Sequence, residues 1–106
     1  MSPIEYEHYC ADLLRRAGWD ARVTSASGDQ GVDIVATRGG RTLVVQAKRY
    51  SGSVGNAAVQ EVLAGKQFMG ADLAAVVSPA PFTRSAVELA NVTGVRLVHH
   101  EQLADL

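Results

Sequence analysis

The sequence predicts an α/β fold, a central mixed sheet held between helices in three layers, as one domain over residues 1–106. Three observations carry that expectation. Gly39-Gly40 separates two β-branched, apolar runs, a strong signal for a two-residue hairpin. Residues 73 to 77 form a short, wholly apolar run, as in a strand buried on both faces. Capped helical segments closed by glycines lie before, between and after these strands.

Taken in order, residues 3 to 17 read as an amphipathic helix with Ser2 as N-cap, Pro3 at the first helical position and Gly18 as the stop. Residues 19 to 24 form a short strand, and the polar, glycine-flanked stretch 25 to 31 leads into the hairpin. Ser53 is placed to cap a second helix that runs to Met69 and closes at Gly70. Thr83 caps a third, with Phe82 set to staple against Val87 and Gly94 as its end. Residues 95 to 98 are a final strand and 100 to 106 a last helical turn. The order is α-β-β-β-α-β-α-β.

The hairpin carries the most information. With the two glycines as the loop, Arg38 faces Arg41 and Val35 faces Val44, and the same register sets Asp33 opposite Gln46 with Cβ atoms about 5 Å apart. Lys48, two residues beyond Gln46, shares that face. Ile34, Ala36, Leu43, Val45 and Ala47 form an apolar opposite face that helices must cover. An acid, an amide and an amine therefore converge at the open end of the hairpin. A loop one residue longer or shorter moves Asp33 across the sheet.

Hydrophobic content of 47% and charged content of 20% suit an ordinary soluble globular domain, with little room for a second one. No apolar run approaches the roughly 20 residues of a membrane span, and the N-terminus lacks a signal-peptide pattern, so no membrane association and a cytoplasmic location are expected. The single cysteine, Cys10, lies in an apolar helical stripe and reads as a buried structural thiol. Net charge is −1, but residues 34 to 66 hold five basic side chains and one acidic. Those five, Arg38, Arg41, Lys48, Arg49 and Lys66, form either a phosphate-contacting patch or a solvated, edge-protecting face.

At these residues the chain resembles a known family. Gly28-Asp29-Gln30-Gly31-Val32-Asp33-Ile34 followed by Val45-Gln46-Ala47-Lys48-Arg49-Tyr50 is similar to the catalytic domain of Mrr-like restriction endonucleases, within the PD-(D/E)XK nuclease superfamily. Tyr6-Glu7, Val59-Gln60-Glu61 and Phe82-Thr83-Arg84-Ser85-Ala86 extend the resemblance over nearly all of the chain. It implies a restriction-endonuclease-like α/β/α fold and a metal-dependent DNA endonuclease using Mg²⁺, with Mn²⁺ able to substitute. It implies DNA as partner, a separate DNA-recognition domain or subunit, and a homodimer as one arrangement. The same core supports a Holliday-junction-resolvase-like nuclease, and a non-catalytic DNA-binding or scaffold module could keep the fold without the chemistry.

Asp33 is a carboxylate inside a β-branched strand, which is unfavourable unless a cation rewards it or water solvates an edge. Gln46 stands where the superfamily usually has Glu or Asp; its amide oxygen can ligate Mg²⁺ without adding charge, or it hydrogen-bonds the nearby chain. The Ala47 carbonyl is the third metal ligand that the resemblance implies. Lys48 can orient the attacking water and stabilise charge on the phosphate, or it is a snorkelling surface lysine. At about 100° per residue Glu7 falls on the border of the stripe Tyr6, Cys10, Leu13, Leu14 and Ala17, so it either meets the metal or pairs with an arginine. Asp29 and Gln60 match family positions near the site, and Gln60 joins the basic residues as an expected DNA contact; Asp29 reads equally as a turn residue. His8, His99 and His100 show no metal-ligand spacing. Ser78 lacks a nucleophile-elbow context.

Overall fold

The computed structural model describes residues 1–24 and 31–106. Their order is α1 (Pro3–Arg16), β1 (Asp20–Val23), β2 (Ile34–Arg38), β3 (Arg41–Ala47), α2 (Asn56–Met69), β4 (Leu73–Val77), α3 (Arg84–Thr93), β5 (Arg96–Val98) and a terminal 3₁₀ helix, His100–Asp105. The expected α/β architecture with a mixed sheet is present. Asp29 and the first residues of its motif lie outside the described residues.

The sheet runs β1-β2-β3-β4-β5 in space. The first three strands form an antiparallel meander, and β3, β4 and β5 are parallel. Alternation along the strands divides the core. Ile34, Ala36, Leu43, Val45, Ala75 and Val77 face α1 and the 3₁₀ helix with Tyr6, Cys10 and Leu14. Val35, Val44, Ala74 and Val76 face α2 and α3 with Val59, Val62 and Ala90. Cys10 is fully buried and burial pushes its thiol up to about 12, which makes it inert as a nucleophile at neutral pH.

α1 begins with a reciprocal capping box, Ser2 Oγ accepting from the Glu5 amide and Glu5 Oε1 accepting from the Ser2 amide. α2 departs from expectation. Its N-cap is Gly55, without a side-chain cap, and Ser53 does not cap it. The reason is Val54, which is buried and held extended in a parallel bridge to Phe82, so the chain cannot turn helical until residue 56. Val54 donates to Pro81 O at 2.8 Å and accepts from the Thr83 amide at 2.9 Å, which ties the start of α2 to the start of α3.

Because β2 starts where β3 ends, and β3 to β5 are parallel, one edge of the sheet gathers Asp33, Ala47 to Arg49, Ser78-Pro79 and His99-His100. In open α/β sheets the crevice beyond the strands' carboxyl ends is where ligands bind.

Candidate active site

The β2–β3 register follows the Gly39-Gly40 turn as expected, pairing Arg38 with Arg41, Val35 with Val44 and Ile34 with Val45. One step further the geometry changes. The Asp33 amide donates to Val45 O at 2.8 Å, so Asp33 and Ile34 both oppose Val45. This is a β-bulge, and it corrects the expected pairing of Asp33 directly across from Gln46. Bulges re-aim side chains beside active sites. Here Asp33 turns toward the sheet edge and its Oδ2 accepts from the Ala47 amide at 2.8 Å, replacing a ladder bond. The N–H and C=O of one residue in an extended strand leave on the same side, so Ala47 O is directed toward Asp33 as well.

Gln46 is buried on the α2 face, 4% exposed. Its Nε2 donates to Gly31 O at 3.1 Å and lies 3.4 Å from Glu61 Oε1. Two acceptors at that end fix which end of the amide is NH₂. Oε1 is left buried with no hydrogen-bond partner among the described residues. Such an atom costs free energy unless something supplies a positive partner.

Lys48 Nζ lies 3.8 Å from Glu61 Oε1 and 5.5 Å from the Tyr50 ring centroid. Glu61 thus touches both Lys48 and Gln46. Sequence reasoning selected its neighbour Gln60, which is exposed and hydrogen-bonded to Asn56. The two are adjacent on a helix and both polar, so only the phase of α2 separates them. Val59 and Val62 lie symmetrically about the pair and do not separate them; the burial of Ala58 and Gly65 in the fold turns the coreward face of α2 toward 61. Gly31 has φ +70° and a Cβ there would meet Glu61 O at 2.7 Å, so α2 packs directly on the segment leading into Asp33.

Glu7 is half-buried near the edge on the α1 side. Burial, and secondarily the Asp33 carboxylate, hold its carboxyl above the usual range. Among the described residues it has no ion-pair partner, so the arginine-pairing alternative finds no support. Burial also raises Asp33, opposed by the Ala47 N–H and Lys48 and reinforced by Glu61. Among the described residues, three carboxyl groups, Glu7, Asp33 and Glu61, therefore share this edge with two cations, Lys48 and Arg49.

The expected basic patch does not assemble. Lys48 and Arg49 flank the site, but Arg38 and Arg41 stand at the hairpin tip and Lys66 in the last turn of α2, at the opposite end of the sheet. Arg38 is committed structurally. It lies 4.2 Å over the Trp19 ring and donates to Ala17 O at 3.0 Å and Leu106 O at 2.5 Å. The histidines also need correction. His99, His100 and Glu101 hold potential ligand atoms within 4.8 Å of one another, although their spacing suggested none. His99 Nδ1 accepts the Glu101 N–H and caps the 3₁₀ helix, which places its proton on Nε2 and removes that nitrogen as a ligand. Ser78 Oγ accepts from the Ala80 amide at 3.0 Å in a local turn.

The family model of the Mrr-type catalytic domain, described as a restriction endonuclease, matches residues 1–106. The chain belongs to that family. No curated protein matches the sequence. Among solved structures, the Mrr-type domain is similar to AF1548, a protein of unknown function, with TM-score 0.79 and 19% identity over 92% of this chain and 58% of that one. It is similar to the Holliday junction resolvase Hjc of Archaeoglobus fulgidus, with TM-score 0.60 and 23% identity over 74% of this chain and 65% of Hjc. The MspJI restriction endonuclease, solved with a 27-mer oligonucleotide, matches at TM-score 0.66 and 23% identity over 95% of this chain and 26% of MspJI. These likenesses show the fold, and in each the Mrr-type domain spans less than two thirds of the other chain.

Proposed function

We propose that this domain is a divalent-metal-dependent DNA endonuclease that uses Mg²⁺, with Mn²⁺ as a substitute, to hydrolyse phosphodiesters at the edge built by Asp33, Gln46, Ala47 and Lys48. The observation that carries the reading is Gln46 Oε1, a buried oxygen without a hydrogen-bond partner among the described residues, anchored by its own Nε2 beside the Glu61 carboxylate. Hard divalent cations take oxygen ligands of this kind. Asp33, Gln46 Oε1 and Ala47 O would hold the ion, with Glu7 approaching from α1. When bound, the ion lowers the pKa of water and offsets charge on the phosphate oxygens. Lys48 Nζ, restrained by Glu61, orients the water for in-line attack and donates to the phosphate oxygen on which charge grows. Arg49 and Gln60 contact the DNA on either side, while the distance of Arg41 and Lys66 and the internal bonds of Arg38 take those three out of the footprint.

A resolvase-like nuclease is the second reading, favoured by the likeness to Hjc, of which the match spans a larger share than of MspJI. A separate recognition domain or subunit, or a second copy, would supply DNA specificity, and the location is cytoplasmic. No helix among the described residues is long and apolar enough to cross a membrane. Incubating supercoiled plasmid and a four-way junction with Mg²⁺, Mn²⁺ or EDTA tests both readings. Metal-dependent nicking of plasmid supports the endonuclease, symmetric cutting of the junction alone supports the resolvase, and no cleavage of either leaves a scaffold.

A further inference from the structure

Beside the site, on the α1 side of the sheet edge, lies a cleft of about 350 Å³ lined by Met1, Tyr6, Tyr9, Arg49, Pro79 and His100. Its walls are continuous with the site. Arg49 follows Lys48, Tyr6 precedes Glu7, and Pro79 closes the turn after β4. The aromatic wall is braced. Tyr6 Oη and His100 Nδ1 are 3.1 Å apart, and the His100 ring stands edge-on to Tyr6 and Tyr9, at centroid separations of 5.7 and 5.5 Å. Tyr6 is buried, whereas Tyr9 is 38% exposed and Arg49 is exposed. A braced aromatic wall facing a guanidinium suits a flat, π-faced group carried on an anionic backbone.

We propose that this cleft receives a nucleobase of the strand being cut, one displaced from the stack next to the scissile phosphate. The occupant follows from position. Lys48 and Arg49 leave the end of β3 in succession, Lys48 toward Glu61 on α2 and Arg49 toward the cleft on the α1 side, so a strand that crosses this end of the sheet with a phosphate at Lys48 brings its neighbouring nucleotide to Arg49 and the Tyr9 wall. A fully stacked duplex offers no free base face there. The domain therefore prefers DNA with an unpaired or gapped nucleotide at the cut. This inference rests on the endonuclease reading for the location of the phosphate, and on the cleft for the base.

The test measures binding apart from cleavage. The whole domain, with Ca²⁺ in place of Mg²⁺, is titrated into a fluorescein-labelled duplex and into the same duplex carrying one unpaired 2-aminopurine. Wild type is expected to bind the unpaired substrate about tenfold more tightly and to change 2-aminopurine emission by stacking. Tyr9→Ala, at an exposed position, should lose both effects with duplex binding within about twofold of wild type, and Tyr9→Phe should keep them because it retains the ring. Equal affinity of wild type for the two DNAs, or an equal loss on both with Tyr9→Ala, overturns the base site. Plasmid nicking with Mg²⁺ is followed in parallel. Nicking without substrate preference rejects the cleft alone, preference without nicking rejects the endonuclease reading alone, and absence of all DNA binding rejects both.

Discussion

At the scale of single residues, the site is held in a state that costs stability. Burial raises the Asp33 carboxyl above its ordinary 3.8, and Glu7 above its ordinary 4.5. Between those values and the raised ones the folded chain binds more protons than the unfolded chain, so stability falls as pH rises through that window and the deficit is complete above it. Asp33→Asn keeps an oxygen for the Ala47 amide and removes the charge. Metal-free melting curves should show the variant more stable than wild type at pH 7, with the difference vanishing near pH 3. Added Mg²⁺ should raise the melting temperature of wild type but not of Asp33→Asn, and nicking by the variant should fall at least about 100-fold. Nicking within a few-fold of wild type would remove Asp33 from the site. Gln46 offers a second test. A glutamate there would place charge against Gly31 O and Glu61, so Gln46→Glu alone should lose stability, and Gln46→Glu with Glu61→Gln should recover it. Urea unfolding of the four proteins should give a coupling of about 1–3 kcal/mol; additive losses would mean that Glu61 does not hold the amide. The pairing that brings Asp33, Gln46 and Lys48 to the same end of the sheet was legible, because a two-residue turn fixes the register of a hairpin, but the expected meeting of Asp33 with Gln46 across it was not what formed. Glu61 was not legible, because pattern alone did not settle which of two adjacent polar residues on α2 points at the sheet.

At the scale of elements, the edge is made by α2 resting on the segment that enters β2. Gly31 and Gly39 both adopt positive φ, +70° and +59°, but only Gly31 has a neighbour where a side chain would sit. Alanine at either position bears the backbone strain of the left-handed region, about 1 kcal/mol or more. At Gly31 it must also push Glu61 away. Gly31→Ala should therefore cost clearly more than Gly39→Ala in urea unfolding and should lower nicking, since Gln46 loses its anchor and Lys48 its partner. Equal losses for the two variants would show that α2 does not depend on this contact. The register of the hairpin was readable from Gly39-Gly40, and the helix stops from Gly70 and Gly94. The bulge at Asp33 was not, since β-branched alternation runs through it without a break. The start of α2 was missed for a related reason. Ser53 is a good local cap, but the bridge between Val54 and Phe82 is a contact between segments far apart in sequence, which local propensity does not register.

At the scale of the whole molecule, the basic residues that cluster in sequence are divided by the fold. A count along the chain places Arg38, Arg41, Lys48, Arg49 and Lys66 together, but a hairpin has two ends, and β3 separates them by about 20 Å at 3.3 Å per residue. That exceeds the Debye length of about 8 Å at physiological salt, so the hairpin tip contributes little field at the edge that carries Asp33 and Lys48. The chain's net charge of −1 adds no general attraction for nucleic acid. Binding to DNA should therefore depend on few phosphate contacts and show a shallow salt dependence. Each phosphate neutralised contributes about 0.9 to the slope of log K against log salt. Arg49→Ala should weaken binding to any sequence and flatten that slope by about 1. Arg38→Ala should leave the slope unchanged and lower the melting temperature, because it removes the contact over Trp19 and the bonds to Ala17 O and Leu106 O that tie the end of α1 and the C-terminus to the sheet. Anisotropy titrations at several salt concentrations, with a thermal melt of each protein, measure both quantities. A slope change for Arg38→Ala equal to that for Arg49→Ala would return the hairpin tip to the DNA interface, and would require the duplex to run along the whole length of the sheet.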